Sequence, residues 1–245
     1  MIRIFIIFIL LDYFDSNVFA FDKSHDIQYK FESANKNYKN NNYQKALQEY
    51  EEISNENNGY IYYNLGNTYI KLNKNALALS NLIKAQKLLP RNQNINKNIN
   101  YTYDKLGLTN SNLNFIFNIF SFKESYILLA LLWLLILAYF VIKHFTKYNL
   151  SIYKNIVNII LIPIFFYFIF DNAFKIYDYI QNKAIVITQE AEVKISTNVN
   201  DITLFKIKEG QEVKVLEQIG DWVKISYQNN KGWLSKSSID NISIL

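Results

Sequence analysis

The chain has 245 residues, half of them hydrophobic, and it carries a formal net charge of +5 with no cysteine. The missing cysteine excludes disulfides, a lipid-attached cysteine and Cys–His peptidase chemistry. The positive charge is scattered among lysines and forms no stripe with interleaved aromatic residues, which argues against a nucleic-acid-binding surface.

Residues 1–20 have the pattern of an export signal. Arg3 supplies a positive start, Ile4–Leu11 is an uninterrupted apolar run, and Val18–Ala20 places small residues at the cleavage positions. The run is too short to cross a bilayer, which requires about 20 apolar residues. Two aspartates after the run leave an uncleaved anchor as the alternative. The segment predicts that the part of the chain that follows is exported.

Residues 26–108 contain a repeated helical-hairpin pattern. In the clearer copy, Gly59–Asn92, small residues stand where two antiparallel helices approach closely, larger apolar residues fill the space between them, and a proline ends the second helix. The positions that define this spacing are Tyr62, Leu65, Gly66, Tyr69, Ala78, Leu82, Ala85 and Pro90. The corresponding positions of an upstream copy are Ala34, Tyr43, Ala46 and Tyr50. This spacing resembles that of the tetratricopeptide (TPR) repeat.

A further helix is predicted after the second copy, with its apolar face on one side and Gly107 at its end. The residues of that face are Ile95, Ile99, Tyr103 and Leu106. A helical hairpin cannot bury its apolar face alone, so two repeats and this capping helix are expected to stack into a small all-α solenoid. The TPR resemblance implies a concave groove that binds other protein chains.

Three residues are candidate peptide contacts in that groove: Asn35, Asn67 and Lys97. Each asparagine follows a small helix-packing residue, and the lysine lies on the capping helix. Two amides and an ammonium resemble part of the carboxylate clamp of some TPR domains. Phe31 and Tyr101 stand where a full clamp would have basic residues, so a general peptide groove is expected. The alternative is that the asparagines hydrogen-bond between helices.

Two apolar segments are predicted to span a membrane, at residues 125–143 and 154–174. The first contains Tyr126–Ile142, which has no charged residue. The second centres on Ile156–Phe170 and carries Pro163 in its middle, which is tolerated where neighbouring groups satisfy the freed carbonyl. A soluble buried hairpin is the alternative for the second run.

The connection at 144–153 contains basic residues, with Lys147 near its centre, and no acidic residue. This is the pattern of a cytoplasmic loop. Together with the export signal, it predicts a multi-pass protein of the inner (cytoplasmic) membrane whose N- and C-terminal domains both lie on the periplasmic or extracytoplasmic side.

Residues 184–245 are predicted to form a small all-β barrel. Apolar and polar residues alternate with the period of two that half-buried strands show. The alternating pairs are Val193/Ile195, Val213/Val215 and Val223/Ile225, and the predicted turn glycines are Gly210, Gly220 and Gly232.

Part of this region, GDWVKISYQNNKGWL at 220–234, resembles the closing half of a bacterial SH3 (SH3b) domain, and EVKIS at 192–196 resembles its opening strand. Trp233 is expected in the barrel core. Trp222 is expected beside a turn, where an aromatic residue serves either the core or a ligand.

The order of these segments resembles the BatE family of bacterial aerotolerance-operon membrane proteins. The resemblance implies a non-catalytic, membrane-anchored scaffold in an envelope complex with von Willebrand A-type proteins and an AAA+ ATPase, linked to stress or aerotolerance. It implies a TPR groove that binds other subunits of the complex and an SH3b domain that binds peptidoglycan or a partner protein.

An enzyme is the main rival hypothesis, because cell-wall hydrolases often carry SH3b modules. The two histidines, His25 and His144, are predicted on opposite sides of the membrane and so cannot share a zinc site. The adjacent Glu51 and Glu52 are expected on an exposed helix face. We therefore predict no catalytic residue, cofactor or metal site. The alternative functions are an accessory subunit of a cell-wall hydrolase or of a transport assembly.

Overall fold

The computed structural model describes residues 25–54, 57–109, 119–145 and 160–244. The predicted export signal lies outside these residues, as do most of the predicted cytoplasmic loop and the first six residues of the second predicted span, 154–159.

The described residues form seven helices. They are α1 (25–39), α2 (Tyr43–Glu52), α3 (Gly59–Lys71), α4 (Asn75–Leu88), α5 (Gln93–Leu106), α6 (Phe122–Phe145) and α7 (Ile162–Ile180).

Asparagine and glycine set the boundaries of the first five helices. The side-chain oxygens of Asn58 and Asn92 accept hydrogen bonds from backbone N–H groups two residues later, which caps α3 and α5. Asn41 and Asn73 adopt positive φ in the turns that precede α2 and α4, so both hairpins use the same turn chemistry. Gly107 ends α5 with a φ of 66°.

Small residues allow the paired helices to approach closely, as the spacing predicted. Ala34, Ala46 and Ala78 are fully buried. A Cβ on Gly66 would lie 2.7 Å from Cγ of Leu82, so no larger residue fits there without displacing that leucine. The helical region thus packs in a repeat-like manner. Residues of the predicted face of α5 join the same core, with Ile95 and Ile99 buried and Tyr103 and Leu106 partly buried.

Helices α6 and α7 pack against each other in antiparallel orientation. Near the start of α6, Ser125 contacts Asp171 and Asn172, and further along Trp133 stacks on Phe165 with ring centroids 5.8 Å apart. Within the described part of the chain, α6 is the one helix that is long and apolar enough to cross a membrane.

Helix α7 covers the later part of the predicted second span. Pro163 lies in the first turn of α7, after the π-helical residues 160–161. A backbone N–H in the first turn has no partner within the helix, so proline, which has no N–H, is well tolerated there. The helix also continues beyond residue 174 to Ile180 and joins the sheet through Gln181 and Asn182.

The C-terminal region is an antiparallel sheet of seven strands. They are β1 (Lys183–Val186), β2 (Glu190–Lys194), β3 (Thr203–Lys208), β4 (Glu212–Ile219), β5 (Trp222–Tyr227), β6 (Asn230–Ser235) and β7 (Ile239–Asn241). Their order in the sheet is β3-β2-β6-β5-β4-β1-β7. The architecture is consistent with a bacterial SH3 domain. Val193, Val213, Val223 and Ile225 line its core, as the alternation predicted.

Two of the predicted positions in the sheet are corrected. Ile195, expected inside, is 57% exposed because the register shifts after Val193 and strand β2 ends at Lys194. Gly232, expected in a turn, lies within β6 opposite Ile225. A Cβ on Gly232 would lie 2.4 Å from Cγ1 of Val193, so close approach of β2 to β6 is what requires glycine there.

The sheet packs directly against the helical repeats. Ile185 of β1 and Ile242 after β7 are buried in the core of the helical region. Asp240 accepts hydrogen bonds from Ser80 and Lys84 of α4, with 2.9 Å between the lysine Nζ and the carboxylate Oδ2. The two regions predicted as separate domains therefore pack against each other through apolar and polar contacts.

Candidate functional site

The first candidate surface is formed by α1, α3 and α5, the first helix of each hairpin and the capping helix. The structure places Asn35 on α1, Asn67 on α3 and Lys97 on α5. Lys97 is exposed to solvent.

Both asparagines hydrogen-bond between helices. Oδ1 of Asn35 accepts from the Tyr50 hydroxyl at 2.6 Å and from Nδ2 of Asn64 at 2.9 Å. Burial raises the pKa of Tyr50, which keeps its hydroxyl protonated as a donor. Oδ1 of Asn67 accepts from Nδ2 of Asn98 on α5 at 2.6 Å. These amides therefore link α1 to α3 and α3 to α5, and peptide contact by Asn35 and Asn67 stays a prediction.

Lys97 lies one helical turn before Tyr101, so these two residues share one side of α5. The Tyr101 side chain is exposed, and the Lys105 ammonium lies 5.4 Å from the centroid of its ring. This side of α5 offers two ammonium groups and an aromatic ring to a ligand. Tyr101, considered only as a missing clamp residue, is a more direct candidate contact than either asparagine.

The paired glutamates of α2 make structural contacts. Glu51 accepts a hydrogen bond from the Tyr69 hydroxyl, and Glu52 forms an ion pair with Lys30 at 3.2 Å. The two carboxylates thus hold α2 against α3 and α1 respectively.

The second candidate surface is the outer face of the sheet, which we call the tryptophan face: Trp222, Lys224, Trp233 and the connection at 195–202. Trp233, predicted in the core, is only partly buried. Its neighbour Leu234 points into the core instead, because successive side chains of a strand point to opposite sides. Trp222 is also partly buried and lies opposite Ser235 on the same outer face.

Two lysines flank Trp233. Lys224 is its partner on β5, with Nζ 5.5 Å from the indole centroid, and Lys194 is its partner on β2. Nζ of Lys194 donates to the backbone carbonyls of Val199 at 2.7 Å and Asp201 at 3.4 Å. Lys194 therefore holds the 195–202 connection beside the tryptophan.

The connection exposes an unusual amount of apolar surface. Its large apolar side chains Ile195, Val199 and Ile202 are mostly exposed, and Leu204 at the start of β3 is partly exposed. Apolar side chains clustered at a turn and next to an accessible tryptophan are typical of a binding surface. The sequence pattern missed this surface because it assigned Ile195 and Trp233 to the interior.

Comparison with known proteins identifies part of the sheet. Residues 203–240 match the family model of the bacterial SH3 domain. The match covers β3 to β6 and reaches into β7, so it includes both tryptophans of the tryptophan face. No curated protein matches the chain.

Proposed function

We propose that the protein is a non-catalytic scaffold, anchored in the membrane by α6 and α7, that binds a cell-wall component or a partner protein through its SH3 sheet. The bacterial SH3 match at residues 203–240 carries this proposal, since it suggests cell-wall or protein binding. The partly exposed Trp222, Lys224 and Trp233 of the tryptophan face lie within the matched residues and supply the surface.

A test of the sheet's role compares Trp233→Ala with Tyr29→Ala in the full chain. Tyr29 is an exposed aromatic residue of α1, far from the sheet in sequence, and serves as the matched control. Retention on isolated cell wall, or co-purification of a partner, should fall at least about tenfold in Trp233→Ala, as for a central aromatic contact, and stay unchanged in Tyr29→Ala. Equal retention of the two variants would remove the tryptophan face from the site.

Membrane anchoring is supported by the outer surface of α6. Only 11% of the most apolar 18-residue stretch of α6 is buried, whereas the core helix of a soluble protein would be mostly buried. Leu131, Leu134 and Phe140 are among its exposed side chains. We propose that α7, together with the residues before it, completes a hairpin of two spans, with the helical repeats and the sheet on the extracytoplasmic side.

Reporter fusions test this topology. Fusions after Gly107, at Lys147 and at the C-terminus should report outside, inside and outside. A cytoplasmic reporter that is active at the C-terminus would contradict two spans.

We further propose that the helical repeats form a TPR groove for another subunit of an envelope complex. The accessible lysine and tyrosine on α5 support this proposal. Lys97→Glu is the sharpest variant, because Lys97 is exposed, whereas Asn67→Ala also removes the hydrogen bond to Asn98. Lys97→Glu should reduce recovery of the partner in a pull-down, and Lys45→Glu, an exposed lysine of α2 outside the groove-forming helices, should not. Unchanged recovery with Lys97→Glu would argue against the groove.

The BatE resemblance suggests that this complex contains von Willebrand A-type proteins and an AAA+ ATPase. Affinity purification of the tagged full chain from membranes tests the assignment. Recovery of such proteins supports the scaffold, and recovery of a wall hydrolase or a transporter instead favours the accessory-subunit alternative.

A further inference from the structure

A cavity of about 680 Å³ lies where the second helical hairpin meets the base of α6 and α7. The start of α3, the end of α4, the beginning of α6, one turn of α7 and Ile244 near the C-terminus form its walls. Arg91 helps to hold these walls together, since its guanidinium forms two hydrogen bonds, of 2.6 and 3.0 Å, with the Glu124 carboxylate of α6.

The cavity carries an excess of positive charge. Lys87, Lys123 and Lys175 line it, and Asp178 is the single carboxylate among the described lining residues, so these residues carry two more positive than negative charges. Lys87 is 2.7 Å from Asp178, and Lys175 forms an ion pair with Asp171 in the α6–α7 contact. Lys123 is exposed to solvent and can turn its ammonium towards an anion.

The lining also contains apolar side chains. Leu88 and Leu89 come from the end of α4, and Phe120, Phe122 and Phe174 come from the base of the two long helices. All five side chains are partly exposed. Such a lining, with ammonium groups beside aromatic and aliphatic side chains, fits an amphiphile with an anionic head. A small soluble anion would use the ammonium groups and leave the apolar side chains exposed.

In a membrane spanned by α6, the cavity would lie near the depth of the lipid headgroups. Phe122 is the first residue of α6, the helix apolar enough to span, and Lys123 follows it. Lysines at the end of a span attract anionic lipids, and aromatic rings favour the interface. We propose that the cavity binds the headgroup of an anionic phospholipid of the extracytoplasmic leaflet, with its acyl chains against the phenylalanines. This inference rests on the proposed membrane anchoring.

The test measures binding of short-chain phosphatidylglycerol, phosphatidylcholine and glycerol phosphate to the full chain in a nonionic detergent. The wild type should bind phosphatidylglycerol more tightly than the other two. Lys123→Glu should weaken phosphatidylglycerol binding about fivefold or more, the factor expected for one lysine at an anionic membrane surface. Lys143→Glu, at the other end of α6, is the matched control and should bind as the wild type does.

Three results would overturn the inference. If phosphatidylcholine bound as tightly as phosphatidylglycerol, the lysines would not recognise the anionic headgroup. If glycerol phosphate bound as tightly as phosphatidylglycerol, the ligand would be a soluble organophosphate. Equal loss in the two lysine variants would indicate general attraction to anionic lipid. Extraction of membranes with alkaline carbonate distinguishes the absence of a lipid site from the absence of membrane anchoring. A chain that resists extraction but does not discriminate between lipids retains the anchor without the lipid site.

Discussion

Replacing Ile185 by alanine should destabilise the helical repeats, although the residue belongs to the sheet. Ile185 is fully buried, and the cluster that buries it consists mainly of residues from α1 to α5. Removing a buried isoleucine side chain beyond Cβ costs about 2–5 kcal/mol, because apolar contacts are lost and a cavity remains.

Hydrogen–deuterium exchange followed by mass spectrometry measures where that loss falls. In full-length Ile185→Ala, peptides from α4 should exchange roughly 30-fold faster or more, the factor that corresponds to the lower end of that range. Peptides from β1 should lose protection with them. The exchange of α6 should stay near that of the wild type, because Ile185 lies outside the contact between α6 and α7.

Ile225→Ala is the matched control, since Ile225 is equally buried but belongs to the sheet's own core. It should accelerate exchange in β5 and its neighbouring strands much more than in α4. If Ile185→Ala accelerated exchange in β1 and left α4 unchanged, the shared core would contribute nothing to the stability of the repeats and the reasoning would be wrong.

Two further predictions concern an ion pair and a glycine. Burial raises the pKa of Asp178, but hydrogen bonds and charge attraction from Lys87 and Lys183 outweigh it and hold this pKa below its ordinary value of 3.8. The charged carboxylate therefore stabilises the fold above about pH 4, and this contribution is lost as the pH falls through the lowered pKa. Thermal unfolding should show a smaller drop in Tm between pH 6 and pH 2 for Asp178→Asn than for the wild type, and equal drops would refute the coupling. Gly232→Ala should destabilise the sheet by about 1–3 kcal/mol through its clash with Val193, and an unchanged urea midpoint would contradict this.

The sequence predicted local structure well because local chemistry determines it. Alanine and glycine spacing revealed the helical hairpins, and the alternation of valines revealed the strands. The turns at Gly210 and Gly220 could also be predicted, since both require a positive φ.

The errors arose where several elements converge. Trp233 and Leu234 are adjacent apolar residues, and only the register of β6 with β5 decides which of them points inward. Ile195 follows a register shift that alternation alone cannot reveal. The contact of Asp240 with α4 joins residues far apart in the sequence, and no periodic pattern reports such a contact.

For the candidate sites too, local placement could be predicted and contacts between distant elements could not. Asn35 and Asn67 could be placed on the correct helices from the repeat spacing, but their hydrogen-bond partners came from neighbouring helices that the spacing does not specify. The cavity at Lys123 could not be predicted, because five segments that are separate in the sequence form its walls.

The short connection between α7 and β1 sets how far the SH3 sheet can reach. Two residues, Gln181 and Asn182, span at most about 7 Å when extended, and Asn182 is fixed by hydrogen bonds from Val215 and Asn241. The sheet therefore has no flexible linker to α7 that would let it move independently of the helix. A ligand has to come to the position where α7 holds the sheet. A tilt of α7 would move the sheet together with the helix.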